Sequence, residues 1–169
     1  MKTFRLMALL HGVYAAMLGW EAWRVGVTFD EPSHLTRAYT YWLGQDVLFP
    51  PDTTPLPWIV NGWAPRLLGL PLRRDTEGWK HQSSFEIGQE ILEALDARSK
   101  RRIIFWTRLT ILIFPLLTVW LVWHWGRQIF TETTALLLAV CAALEPTLMG
   151  HGALLKSDVA AAFGCLLFF

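Results

Sequence analysis

The run IIFWTRLTILIFPLLTVWLVWHW, residues 103–125, decides the fold class. As a helix rising 1.5 Å per residue it reaches about 35 Å, more than the hydrocarbon core of a bilayer. Trp106 near one end and Trp120, Trp123 and Trp125 at the other read as an aromatic belt at the two interfaces. Arg108 lies one turn in, from where it is expected to reach back to the headgroups. Pro115 predicts a kink, which membrane spans tolerate. Composition points the same way: 53% of the 169 residues are hydrophobic, ten are tryptophan, and only 17% are charged. That charged fraction is below the roughly 25% of an ordinary soluble domain. The class expected is an all-α integral membrane protein. A net charge of +1 with no aromatic-laced basic patch excludes a nucleic-acid binder.

Working outward, three more apolar segments predict further spans. Residues 6–27 follow a basic tip and continue through Trp20 to Phe29 with no small-residue cleavage site, so a retained helix is expected rather than a signal peptide. Glu21 and Arg24 are three apart and can pair beside Trp20 and Trp23. Residues 134–147 form a short third segment ended by Pro146 and Gly150, and residues 159–169 are half a crossing. The chain is therefore expected to be the N-terminal part of something larger. Lys2, Arg5 and Arg127 place the N-terminus in the cytoplasm, whereas Arg98, Lys100, Arg101 and Arg102 run against that rule in a long loop. Cys141 and Cys165 sit in apolar runs and read as small buried hydrophobes. No P-loop, GxGxxG, HExxH or CxxC pattern is present.

The external loop, about residues 28–102, is not a loose linker. Pro50, Pro51, Pro55, Pro57, Pro65 and Pro71 forbid one continuous helix, and a short helix near residues 58–68 is expected against the membrane. Further on, SSFEIGQEILEALDARSKRR carries Phe85, Ile91, Leu92 and Leu95 on one face. It reads either as an interfacial amphipathic helix or as a helix packed on its neighbours. The loop opens with FDEPSHLTRAYTYWLG, residues 29–44, where Pro32 suits a first helical turn and Leu35, Tyr39 and Trp42 recur at helical spacing. Its acids, Asp30 and Glu31, either cap that helix or do chemistry.

Span parity brings a second polar cluster to the same face. With spans at 6–27, 103–125 and 134–147, Asp30, Glu31 and His34 emerge on the side of Glu145, His151, Lys156 and Asp158. Ionisable groups at a membrane boundary are costly and have a task or a partner. The plain alternative pairs Lys156 with Asp158 and leaves Glu145 to snorkel. The chemical reading is transfer from a phosphate-bearing lipid: a carboxylate takes the acceptor's proton while a Lys or His steadies the departing phosphate.

The order of features resembles the N-terminal part of the GT-C glycosyltransferases that use polyprenyl-phosphate sugars, the protein O-mannosyltransferase and aminoarabinose-transferase group. The matching pieces are a first span, FDEPSHL, the Pro-rich PPDTTPLPWIVNGWAPRLLGLPL, and EPTLMGHGALLKSDVAAAF. The resemblance implies a multi-span helical bundle with interfacial helices in its first external loop, in a bacterial inner membrane with the site on the external face. It implies an inverting enzyme that moves a sugar from a polyprenyl-phosphate-linked donor to a protein, lipid or glycan acceptor. Asp30 is then the general base with Glu31 assisting, and Asp158 completes the acidic site. Pro146, His151 and Asp158 match the family's second motif. His34, His151, Lys156 and Glu145 are the substrate-contacting candidates, the role of Lys156 resting on its charge alone. The family has many more spans and often a soluble C-terminal domain, so these 169 residues need not be active by themselves. Two rival readings treat the cluster as the ion path of a transporter or assembly subunit, or as a divalent-metal site of Asp30, His34, His151 and Asp158.

Overall fold

The structure, a computed structural model, describes residues 2–44 and 55–168. All regular structure among them is helical: α1 (Lys2–Arg24), α2 (Glu31–Trp42), α3 (Leu56–Asn61), α4 (Trp63–Leu68), α5 (Glu77–Lys80), α6 (Ser84–Glu93), α7 (Ala97–Ile111), α8 (Ile113–Ile129), α9 (Glu132–Ala143), α10 (Pro146–Gly152) and α11 (Asp158–Leu167). The expected extended Pro-rich stretch falls in part on residues 45–54, outside the described residues.

The multi-span bundle is not supported. One helix among the described residues is long and apolar enough to cross a membrane, the continuous Ala97–Ile129 formed by α7 and α8. Its interruption at Leu112 has the expected cause, because Pro115 has no N–H to offer the carbonyl of Ile111 four residues back. α1 has the length, yet His11 and Glu21 dilute its apolar character. The expected third span is the 12-residue α9. It bends by 57° into α10, and the pair adds a second crossing only if counted as one broken span. The fourth, α11, has ten residues. The caps explain these breaks: Thr131 accepts the backbone N–H of Thr134 to start α9, and Glu145 accepts that of Leu148 to start α10.

Two packed layers position the candidate site. In the first, Met7, Tyr14, Leu18 and Ala22 of α1 meet Leu112, Val119 and Trp123 of the long helix and Ala135, Ala139 and Ala143 of α9. The alanine stripe permits a close approach: a Cβ on Gly126 of α8 would stand 3.1 Å from that of Ala135. Trp123 is buried in this layer and not at an interface, so the aromatic belt of the long helix keeps Trp106 and Trp120 as its exposed members. In the second layer, α6 turns Ile87, Ile91 and Leu92 onto Leu35 and Tyr39 of α2, with Ile103, Ile104 and Leu155 completing the cluster. The stretch 83–102 is thus two helices, α6 and α7, separated where Asp96 caps α7, and α6 is packed on a neighbour. The helix expected at 58–68 is likewise two, divided at Gly62. Cys141 and Cys165 are exposed, not buried, because the faces of α9 and α11 that carry them point away from the packed layers.

Candidate functional site

The acidic pair of the loop divides at the start of α2. Successive helical residues point about 100° apart, so Asp30 and Glu31 cannot both face the same surroundings. Glu31 turns inward and is fully buried. Its Oε1 accepts from Arg108 Nε at 2.7 Å and from the Leu155 backbone N–H at 3.0 Å. Its Oε2 accepts from Arg108 Nη2 at 2.6 Å and from the Thr28 N–H at 2.8 Å. Arg108 spends its remaining N–H groups on the carbonyls of Ala22, Val25 and Gly26, at 2.7–2.9 Å. It therefore does not reach the headgroups as the sequence suggested. It is fully buried and closes the C-terminal end of α1, where unpaired carbonyls and the negative end of the helix dipole favour a cation.

This pair holds three elements together: the end of α1, the start of α2 and the segment before α11. The Leu155 side chain is buried in the second layer while its N–H is held by Glu31. The next residue, Lys156, is thereby brought to Asp30, and Nζ lies 2.8 Å from Oδ2. Asp30 makes no capping bond to α2, so the reading of it as a simple cap is not what the structure shows. The hydrogen bond from Lys156, with its charge and that of His34, holds the Asp30 carboxyl below the ordinary carboxylate range. The same contact raises the Lys156 ammonium above the usual lysine value. The expected alternative, Lys156 paired with Asp158, is replaced by this longer-range pair.

Asp158 instead meets His151, whose Nδ1 lies 3.1 Å from Oδ2. Both side chains are substantially exposed, so this dyad opens outward from the packed layers. His34 is half-buried near the two pairs; burial, then the nearby Arg37, push its imidazole toward the neutral form, against the pull of Asp30 and Asp158. Glu145 serves as the cap of α10, accepting the Leu148 N–H at 2.6 Å. Five of the sequence candidates thus share one region: Asp30, His34, His151, Lys156 and Asp158. Glu31 is separated from it by burial, and Glu145 is engaged by its own helix.

Among the described residues no group of three or more His, Cys, Asp and Glu is placed to hold a metal ion. The divalent-metal reading of Asp30, His34, His151 and Asp158 is therefore not carried by their placement. The residue that sequence reasoning missed is Arg108, and its signal was present: a lone guanidinium in an apolar helix needs a buried anion, and Glu31 was available. No family model, no curated protein and no solved structure matches the chain.

Proposed function

We propose that the protein transfers a sugar from a polyprenyl-phosphate-linked donor to a hydroxyl- or amine-bearing protein, lipid or glycan acceptor, at the external face of a membrane entered by Ala97–Ile129. The observation that carries this reading is the pair of a half-exposed Asp30 and a mostly buried Lys156, 2.8 Å apart, next to the His151–Asp158 dyad. A carboxylate and an ammonium in contact form a resting pair that a phosphate can open. When the donor's phosphate arrives, it takes the Lys156 ammonium as a charge-assisted partner. Asp30 then loses the contact that depresses its basicity and becomes the stronger base.

The acceptor oxygen or nitrogen attacks the anomeric carbon and its proton passes to Asp30. The bond from that carbon to the phosphate oxygen breaks, and polyprenyl phosphate leaves with its charge held by Lys156. Attack opposite the leaving group inverts the anomeric centre. Asp158 orients the His151 ring, which adds a second polar contact for the donor or acceptor. Glu31 does not touch the reactants in this scheme. It is a positioning residue, fixing through Arg108 and Leu155 where Asp30 and Lys156 meet.

The test uses membranes containing the native gene product at its full length, a radiolabelled polyprenyl-phosphate sugar, and the scintillation count of labelled acceptor. Asp30→Asn is expected to abolish transfer with protein abundance unchanged. Near-normal transfer by that variant sinks the assignment.

A further inference from the structure

Away from the Asp30 region, the end of α1 and the first turns of α7 enclose a groove of about 640 Å³. Its walls are Arg98, Arg101 and Arg102 above and Trp23, Phe105 and Trp106 below. A second groove of about 320 Å³ shares Trp23 and Arg101 with it and adds Arg24, Lys100 and the buried Arg108. Three arginines therefore line the first groove, and no Asp or Glu lines either. The nearest acid along the chain, Asp96, is committed to the N–H groups of Arg98 and Ser99 and to the Ser99 hydroxyl.

α7 has no acidic residue in its first turn, and Asp96 at the cap is the one anion at its N-terminal end. The basic side chains that follow repel one another where the dipole favours anions, and an external anion relieves that repulsion. The floor supplies the other half of the recognition: Arg101 lies over the Trp23 ring at 5.2 Å and Trp23 meets Phe105 edge-on at 5.2 Å, so one cationic head stands on an aromatic face. Trp23 and Trp106 remain 43% and 45% exposed, leaving aromatic surface open to a ligand that is part polar and part apolar. The helix that carries the groove is also the one apolar enough to enter a bilayer.

We infer that this groove binds the headgroup of an anionic phospholipid. Arg98, Arg101 and Arg102 take the phosphodiester, while Phe105 and Trp106 take the glycerol region and the start of the acyl chains, where α7 enters the hydrocarbon. The binding draws on basic residues beside the membrane and aromatic side chains at the interface. It does not depend on the proposed sugar transfer, and none of its residues is among those assigned to that reaction.

The test is thermal melting of the full chain, purified in a nonionic detergent, with phosphatidylglycerol, phosphatidylcholine or inorganic phosphate added at equal phosphate. At about tenfold over its Kd, phosphatidylglycerol is expected to raise Tm by about 3–6 °C, the shift that linkage gives for a chain of this size. The other two additives are expected to leave Tm unchanged. Arg98→Gln combined with Arg101→Gln is expected to remove the shift, and Asp158→Asn to keep it. An equal rise with phosphatidylcholine or inorganic phosphate overturns the inference, as does a shift retained by the double variant. Native mass spectrometry of the wild-type chain gives an independent answer should that variant not fold: phosphatidylglycerol adducts must survive where phosphatidylcholine adducts are stripped, and equal loss of both refutes the site.

Discussion

Replacing Glu31 by Gln keeps the size and shape of the side chain and removes its charge, in a place where water cannot compensate. Glu31 and Arg108 are both fully buried. The carboxylate accepts four hydrogen bonds, two at each oxygen, from Arg108 Nε and Nη2 and from the N–H groups of Leu155 and Thr28. An amide cannot reproduce this in either orientation. With its NH2 at the Oε1 position it faces the donors of Arg108 Nε and Leu155; at the Oε2 position it faces those of Arg108 Nη2 and Thr28. One oxygen's worth of acceptors is lost and two donors are left pointing at a third. The guanidinium stays buried with its charge uncompensated, a loss of about 3–5 kcal/mol when one partner of such a pair is removed.

A domain of this size shifts by roughly 2–4 °C per kcal/mol, so Tm should fall by about 6–20 °C. The assay is thermal melting of the detergent-purified protein, followed by far-ultraviolet circular dichroism. A Glu31→Gln protein melting within about 4 °C of wild type, equivalent to about 1–2 kcal/mol, refutes the reasoning. The cycle is completed by Arg108→Met alone and by Glu31→Leu with Arg108→Met. Removing both charges should recover a large part of the loss, because a buried ion pair is worth far more than a lone buried charge and little more than an apolar substitute. Recovery will be incomplete, since the N–H groups of Thr28 and Leu155 and the carbonyls of Ala22, Val25 and Gly26 lose their partners.

Asp30→Asn stands in contrast: its pair with Lys156 is half-exposed on the Asp30 side, so stability should change by no more than about 1 kcal/mol while sugar transfer is lost, read by melting and by transfer on the same preparation. Gly88→Ala should destabilise strongly, because the added methyl would sit 2.1 Å from the backbone oxygen of Pro32 and force α6 away from α2; a melt unchanged from wild type refutes that packing. His34 titrates below its ordinary value of 6.5, so the unfolded chain takes up its proton first. The stability linked to it is complete above 6.5 and is lost as pH falls through the lowered folded value. Plots of Tm against pH should therefore be shallower on the acid side for His34→Gln than for wild type, and equal slopes refute the burial argument.

That the Asp30 and Asp158 clusters share one region was legible because their residues are polar islands between apolar runs; the pairing within it was not, since the pair expected was Lys156 with Asp158. Parity placed both islands on one face, and they are together, though not through the four spans that the parity argument assumed. What brings them together is the ladder from Arg108 to Glu31 to the Leu155 N–H, three residues far apart in the chain. Hydropathy along the sequence cannot show this. It treats Arg108 as a charge to be expelled from an apolar helix, when the cheaper solution is a buried carboxylate and three helix-end carbonyls. The span count failed for a more local reason. Thr131 and Glu145 cap α9 and α10, so the segment expected as a third span is a 12-residue helix that ends before Pro146.

The adjacency of Asp30 and Glu31 then acquires a physical meaning that the dipeptide alone did not have. At the first turn of α2 one residue's step of rotation separates an exposed carboxylate from a buried one. The buried acid determines where the chain crosses; the exposed acid remains in contact with solvent and with Lys156. Because both sit on the same turn, any displacement of α2 that weakens the Arg108 pair also moves Asp30 relative to Lys156. Loss of transfer in Glu31→Gln is therefore expected to track loss of fold, whereas loss in Asp30→Asn is expected in a protein that melts normally. Only the second pattern assigns chemistry to a residue. A Glu31→Gln protein that folded normally yet failed to transfer would show that the placement of Asp30 against Lys156 depends on Glu31 beyond its contribution to the fold.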